Sequence, residues 1–226
     1  MLRAVIFDFD GVITDSEILH LRSFNQVLAQ HNIEIATKDY YKDYLGLTDL
    51  DLLKLLVDKD LLKLDDQAII SLAEQKKQVF EKLARTEGRI IEGVRDFLEM
   101  LNQNNILMAI CSGALRAEIE LILDEARLRH FFEVIVSAEQ VKKGKPHPEG
   151  FLLTLQKLNG KTTSPILASQ CIAVEDSHWG LEAAKAAGMH TLAVTNSYGA
   201  DQLTLAKKIV TRLDKLNIDD LQKLCA

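Results

Sequence analysis

Short, continuous apolar runs alternate with amphipathic stretches over most of this 226-residue chain. Ala4-Val5-Ile6-Phe7 is the first run. From Ile91 onward, helix 94–103 precedes strand 106–111, and helix 117–126 precedes strand 133–136. Helix 149–158 leads to strand 171–175, and helix 179–187 to strand 190–194. A strand at 208–211 and a helix at 219–224 complete the series. The strands barely alternate between apolar and polar, which is the pattern of a parallel sheet buried on both faces. The expected core is therefore α/β, a Rossmann-like doubly wound parallel sheet.

Residues 16–89 break this rhythm. They are charged and helical in period, with expected helices at 18–30, 39–44, 49–59 and 65–84. Leu52, Leu55 and Leu56 recur at helical spacing. Asp15 or Ser16 suits the cap of the first helix. The simplest organisation is an α/β catalytic core from 1–15 and 90–226, interrupted by an all-helical cap domain at 16–89. Such a cap would cover the carboxyl ends of the strands, where open α/β sheets bind ligands.

Composition narrows the function classes. The net charge is −6, and the densest basic cluster, Lys142-Lys143-Gly144-Lys145, is too short for a nucleic-acid footprint. No apolar run approaches the ~20 residues of a membrane helix. The first apolar run ends at Asp8, unlike a signal peptide. Three cysteines, Cys111, Cys171 and Cys225, lack metal-ligand spacing, which points to free thiols and a cytoplasmic protein. A monomer or weak homo-oligomer is the expected state, with a small molecule as partner.

The chemistry concentrates where apolar runs stop. Asp8-Phe9-Asp10-Gly11 follows the first strand. Carboxylates two residues apart share one side of an extended backbone, and Gly11 allows a tight turn. Ionised carboxylates beside an apolar core need a cation or hydrogen bonds. This pattern suits a nucleophilic aspartate with a neighbouring acid/base aspartate and a bound metal, with an acidic surface turn as the alternative. Ser112-Gly113 follows the second core strand and offers a hydroxyl and backbone N–H groups to an anion. Lys145, braced in Gly144-Lys145-Pro146-His147-Pro148, is placed to clamp a phosphate or to stand exposed in a loop. Glu175-Asp176-Ser177 ends the strand at 171–175, suggesting metal ligands or a helix cap. Four acids against Lys145 leave a charge deficit that a hard divalent cation with oxygen ligands relieves, Mg²⁺ first among them.

These motifs in this order resemble the haloacid dehalogenase superfamily of phosphotransferases, near its β-phosphoglucomutase-like branch. The stretch Gly180-Leu181-Glu182-Ala183-Ala184-Lys185-Ala186-Ala187-Gly188-Met189 adds to the likeness. The resemblance implies Asp8 as the nucleophile that forms an aspartyl-phosphate. It implies Asp10 as the acid and then the base, and Ser112, Gly113 and Lys145 as phosphate binders. Mg²⁺ would be held by Asp8, Asp176 and the Asp10 backbone carbonyl, with Glu175 bound directly or through water.

At the substrate end, His20 and Lys76 fall where the mutase group carries cap residues that help close the site. Arg116 is a further candidate for a phosphate contact. Gly46-Leu47-Thr48-Asp49 lacks the arginine that grips a second phosphate in the mutases, and Gly113-Ala114-Leu115-Arg116 lacks their Ser-Lys-Asn pattern. These departures favour a Mg²⁺-dependent phosphatase acting on a small phosphorylated metabolite such as a sugar phosphate. A β-phosphoglucomutase-type isomerase is the alternative, and a non-catalytic phosphate-binding or phosphoacceptor signalling module is the remote one. The long insertion after the first strand argues against a signalling receiver.

Overall fold

The computed structural model describes residues 1–45 and 47–225. They form two compact units, Met1–Asp15 with the segment from Arg89 onward, and Ser16–Gly88. Arg89 falls with the first unit, one residue before the boundary expected from sequence. There the Thr14 hydroxyl donates to the Arg89 carbonyl at 2.9 Å, and Thr14 bridges Ile90 in antiparallel fashion.

The first unit is built on six parallel strands in the order β3-β2-β1-β4-β5-β6. They are β1 (Ala4–Phe7), β2 (Leu107–Cys111), β3 (Val134–Val136), β4 (Cys171–Glu175), β5 (His190–Val194) and β6 (Lys208–Val210). The helices of this unit are α5 (Val94–Gln103), α6 (Arg116–Glu125), α7 (Glu149–Asn159), α8 (His178–Ala186) and α9 (Ile218–Leu224). The apolar strands are buried on both faces. On one face Ala4, Ile6, Ala109, Cys111 and Ala173 pack with Phe151 and Leu158 of α7 and Ala183 and Ala184 of α8. On the other, the ring of Phe7 meets Phe97 of α5 and Phe132 edge-on at 6.1 and 5.9 Å.

Register sets the site. Phe7 pairs with Ile110 of β2 and with Val174 of β4, so β1 stops one residue short of its two neighbours. The strand order reverses between β1 and β4, the position where ligands bind in open α/β sheets. Asp8, Ser112 and Glu175-Asp176 all leave the sheet at this end.

The second unit is helical: α1 (Glu17–Leu28), α2 (Thr37–Asp39) running into a π-helical turn at Tyr40–Tyr44, α3 (Asp49–Asp58) and α4 (Asp66–Glu87). Leu21, Phe24, Leu28, Leu52, Leu56 and Ile69 are among its core residues. Thr48 caps α3 by accepting from the Asp51 N–H at 3.1 Å. Asp65 caps α4 by accepting from the Ala68 N–H at 2.8 Å. Ser16 stands at the N-cap of α1 but already has helical backbone angles, and its side chain makes no cap bond. The first helix is shorter than its periodicity suggests because Asn32, at φ 58°, ψ 34°, turns the chain left-handed after a short 3-10 turn at Ala29–His31. Of the Gly46–Asp49 segment, Gly46 lies outside the described residues.

Candidate active site

Beyond β1 the chain folds back on itself at once. The Ile13 N–H donates to the Phe9 carbonyl at 2.8 Å and the Gly11 N–H to the Thr14 carbonyl at 2.8 Å. Gly11 adopts φ +73°, and a Cβ there would overlap the carboxylate of Asp176. Glycine is needed on both counts: the left-handed backbone and the close approach of Asp176, which follows β4. Asp8 is pinned by its own N–H, which donates to the Val174 carbonyl at 2.9 Å. Its Oδ1 accepts the Phe9 N–H at 2.7 Å.

Lys145 reaches this acid from the loop ahead of α7, where its peptide bond to Pro146 is cis. Its Nζ lies 2.9 Å from Asp8 Oδ1 and 2.6 Å from Glu175 Oε1. It also stands 5.6 Å above the ring centroid of Phe151. Burial opposes the Lys145 charge, but Asp8 and then Glu175 outweigh it, and the ammonium is held protonated above the ordinary lysine range. Burial, and next the Asp8 charge, push Glu175 up to about 8 against the pull of Lys145.

Ser112 is buried, 6% exposed. Its N–H donates to the Val136 carbonyl at 2.9 Å, and its Oγ accepts from the Ala114 N–H at 2.9 Å. At Gly113 nothing lies within 4 Å of where a Cβ would stand, so its backbone is open to approach. Cys111, one residue earlier in β2, has its thiol pushed up to about 12 by burial and remains a neutral core group.

The acids test the expected metal. Carboxylate oxygens of Asp8, Glu175 and Asp176 lie within 4.8 Å of one another. Three carboxyl groups offering oxygen donors fit a hard divalent cation such as Mg²⁺, whose charge would favour the ionised form of Glu175 that burial and Asp8 disfavour. Among the described residues, the side-chain cluster is these three acids. The expected part of Asp10 in a metal site is its backbone carbonyl, and the partly exposed Asp10 pairs with Thr14 in the turn.

The remaining expected residues are placed as follows. Arg116, at the start of α6, donates from Nε and Nη2 to Glu120 Oε1 at 3.0 and 2.7 Å. Its Nη1 donates to the Ile135 carbonyl at 3.0 Å. His20 and Lys76 meet each other inside the helical unit. Lys76 is fully buried. Its Nζ lies 2.7 Å from His20 Nδ1 and 2.6 Å from Asp49 Oδ1. It also stands 4.6 and 5.2 Å from the ring centroids of Phe24 and Phe80. His20 stacks on Phe80 at 4.1 Å. Burial, and then Lys76, hold its imidazole well below 6.5. His20 is therefore neutral at pH 7, and its Nδ1 accepts from the ammonium.

The structure adds residues that sequence reasoning did not single out. Ser177 Oγ donates to Glu175 Oε2 at 3.1 Å and accepts the Gly180 N–H of α8 at 3.1 Å. Gly180 lies against the Glu175 carboxylate. Asn196, after β5, donates from Nδ2 to the Gly11 carbonyl at 2.7 Å. Ser177 and Gly180 were visible as motif letters, without a sign of what they touch. Asn196 carries no local signal at all.

Known proteins resemble this chain in sequence and in fold. Residues 5–194 match the family of haloacid dehalogenase-like hydrolases. A phosphorylated carbohydrates phosphatase of Thermotoga maritima is 32% identical over 194 residues, 84% of each chain. A fructose-1-phosphate phosphatase of Escherichia coli, YqaB, is 28% identical over 198 residues, 84% of this chain and 95% of that one. Among solved structures, CbbY of Rhodobacter sphaeroides in complex with phosphate superposes with a TM-score of 0.86 at 21% identity, over 98% of this chain and 100% of the other. That likeness concerns the fold. A β-phosphoglucomutase of Clostridium difficile superposes with a TM-score of 0.82 at 25% identity, over 100% and 97%. Because the family match runs from the first strand through the fifth and takes in Asp8, Ser112, Lys145 and Asp176 alike, this chain belongs to the haloacid dehalogenase-like hydrolases.

Proposed function

We propose that this protein is a Mg²⁺-dependent phosphatase that hydrolyses a small phosphorylated metabolite, a sugar phosphate or a close relative, through an aspartyl-phosphate. The observation that carries the reading is the Lys145 ammonium, 2.9 Å from Asp8 and 2.6 Å from Glu175 at the strand ends. A buried cation beside a carboxylate nucleophile suits a phosphoryl group, whose oxygens it neutralises as charge spreads over them.

In this reading a carboxylate oxygen of Asp8 attacks phosphorus, and the bond to the ester oxygen breaks. Asp10 protonates that departing oxygen. Asp10, now a carboxylate, takes a proton from water as the water attacks the phosphorus of the aspartyl-phosphate. Inorganic phosphate leaves and Asp8 is restored. Ser112, the Gly113 backbone and Lys145 hold the phosphoryl oxygens. Asp8, Asp176 and Glu175, with the Asp10 carbonyl, would hold Mg²⁺, which supplies positive charge to the phosphoryl oxygens when bound.

Sugar phosphates come first because three relatives are named as phosphatases of phosphorylated carbohydrates, fructose 1-phosphate and hexitols, while a fourth is named for 5-amino-6-(5-phospho-D-ribitylamino)uracil. An isomerase of the β-phosphoglucomutase type is the second reading, favoured by the TM-score of 0.82 to that enzyme. Against it stands the Lys76–Asp49 pair at 2.6 Å, which already matches the Lys76 charge instead of leaving it for a second phosphate. The deciding assay offers fructose 1-phosphate, hexitol phosphates, and β-glucose 1-phosphate with its bisphosphate activator. Free phosphate and isomerised product are measured separately, with Mg²⁺ and after chelation. Phosphate release in step with substrate loss, abolished by chelation and restored by Mg²⁺, is the expected result. Isomerisation with negligible phosphate release overturns the phosphatase reading, and full activity after exhaustive chelation overturns the metal.

A further inference from the structure

Glu175 is fully buried at the end of β4, and both of its carboxylate oxygens are engaged by neighbours. Oε1 faces Lys145 Nζ at 2.6 Å. Oε2 accepts from Ser177 Oγ at 3.1 Å. The side chain occupies the space over the first turn of α8, and a Cβ built on Gly180 would overlap Glu175 Cδ and both carboxylate oxygens. The backbone of Gly180 shows no left-handed conformation that would itself call for glycine. The same Ser177 Oγ accepts the Gly180 N–H at 3.1 Å, which fixes the glycine against the acid.

We infer that Gly180 and Ser177 are positioning residues that set Lys145 through Glu175. Gly180 leaves the volume in which the carboxylate lies, Ser177 fixes its rotation, and the carboxylate aims the ammonium at Asp8. Without that strut the Lys145 ammonium keeps Asp8 as a partner but loses the second anchor that fixes its direction. A misplacement on the order of 1 Å costs about 10²-fold in rate.

The test is a double-mutant cycle between positions 180 and 175. Gly180→Ala is expected to lower kcat on p-nitrophenyl phosphate by about 10²-fold, with KM changed by less than about threefold. Glu175→Asp withdraws the carboxylate by one methylene and vacates the space over residue 180. Adding Gly180→Ala to that variant is expected to cost no further activity and to raise Tm, since alanine is the better helix former. A glycine required for any other reason predicts the same loss in both backgrounds, and that result overturns the inference.

The ammonium itself gives a second readout. With ¹⁵N-labelled lysine side chains, the protected Lys145 resonance is assigned by its loss in Lys145→Met. It is expected to shift or broaden in Gly180→Ala, and an unmoved resonance overturns the inference. Ser177 tests the strut if Gly180→Ala fails to fold. Ser177→Ala is expected to lower kcat about tenfold and Ser177→Thr, which keeps the hydroxyl, to restore it. A lower Tm with unchanged kcat would make Ser177 a helix cap and nothing more. The kinetic arm rests on the phosphatase reading, whereas the resonance and melting arms do not. A chain that hydrolyses no phosphomonoester yet shows the shifted resonance refutes that reading and supports the strut.

Discussion

Lys76 offers a sharp test of how this helical unit holds a buried charge. The side chain is fully buried, whereas its partner Asp49 is 27% exposed at the start of α3. At 2.6 Å and an effective dielectric of about 20, their attraction is roughly 6 kcal/mol before desolvation is counted. Burial of the ammonium and the exposure of Asp49 consume much of it, so the pair's net contribution is far smaller. Removing only the acid is another matter, because it leaves a cation among Phe24, Phe80 and a neutral His20. Asp49→Asn is therefore expected to destabilise the chain by about 2–3 kcal/mol, somewhat less than a fully buried pair would lose. Lys76→Met removes the charge, keeps the length and places a thioether against the two rings. It is expected to fall within about 1 kcal/mol of the parent. In the Lys76→Met background, Asp49→Asn should cost almost nothing. Urea unfolding by linear extrapolation gives the three energies, and amide exchange along α4 localises them to the helical unit. A cost for Asp49→Asn below about 0.5 kcal/mol, or one for Lys76→Met as large as for Asp49→Asn, would refute the reasoning.

Asp8→Asn, nearly isosteric, should abolish turnover and phosphoenzyme trapping with an unchanged far-UV spectrum. Asp10→Asn should still form phosphoenzyme from substrates with good leaving groups and should slow its hydrolysis by about 10²–10⁴-fold, so hydrolysis at the parent rate in single-turnover experiments would remove Asp10 from the base role. Lys145→Ala should lower kcat by about 10²–10³-fold with a smaller change in KM; an effect on KM alone would make the lysine a ground-state binder. Because the folded chain holds His20 well below its unfolded pKa, the unfolded state takes up the proton first. Stability should be complete above about pH 6.5 and fall below it by up to ~1.4 kcal/mol per pH unit. Thermal unfolding of His20→Gln between pH 7 and 5 should show the shallower slope.

The chain's local code fixes much of this protein. The runs at Ala4–Phe7, Cys171–Glu175 and His190–Val194 are strands in the structure with those bounds. A continuous apolar run between turn residues is legible wherever both faces of a sheet are covered. Asp8, Ser112 and Glu175-Asp176 are legible as candidate chemistry because each stands where such a run stops, and strand ends are where open α/β sheets bind ligands. Periodicity was less informative where backbone geometry departs from the α-helix, as at the Tyr40–Tyr44 π turn and the left-handed Asn32. Tertiary structure alone decided which charges meet. Lys145 pairs with Asp8 and Glu175. Lys76 pairs with Asp49. Asn196 reaches the Gly11 carbonyl across 185 residues of chain, and Gly180 earns its glycine from a carboxylate on the preceding strand. Side-chain propensity and period act over a turn or two of chain. The partner of a buried charge is set by strand register and helix packing, which bring together residues whose own neighbours in sequence say nothing of one another.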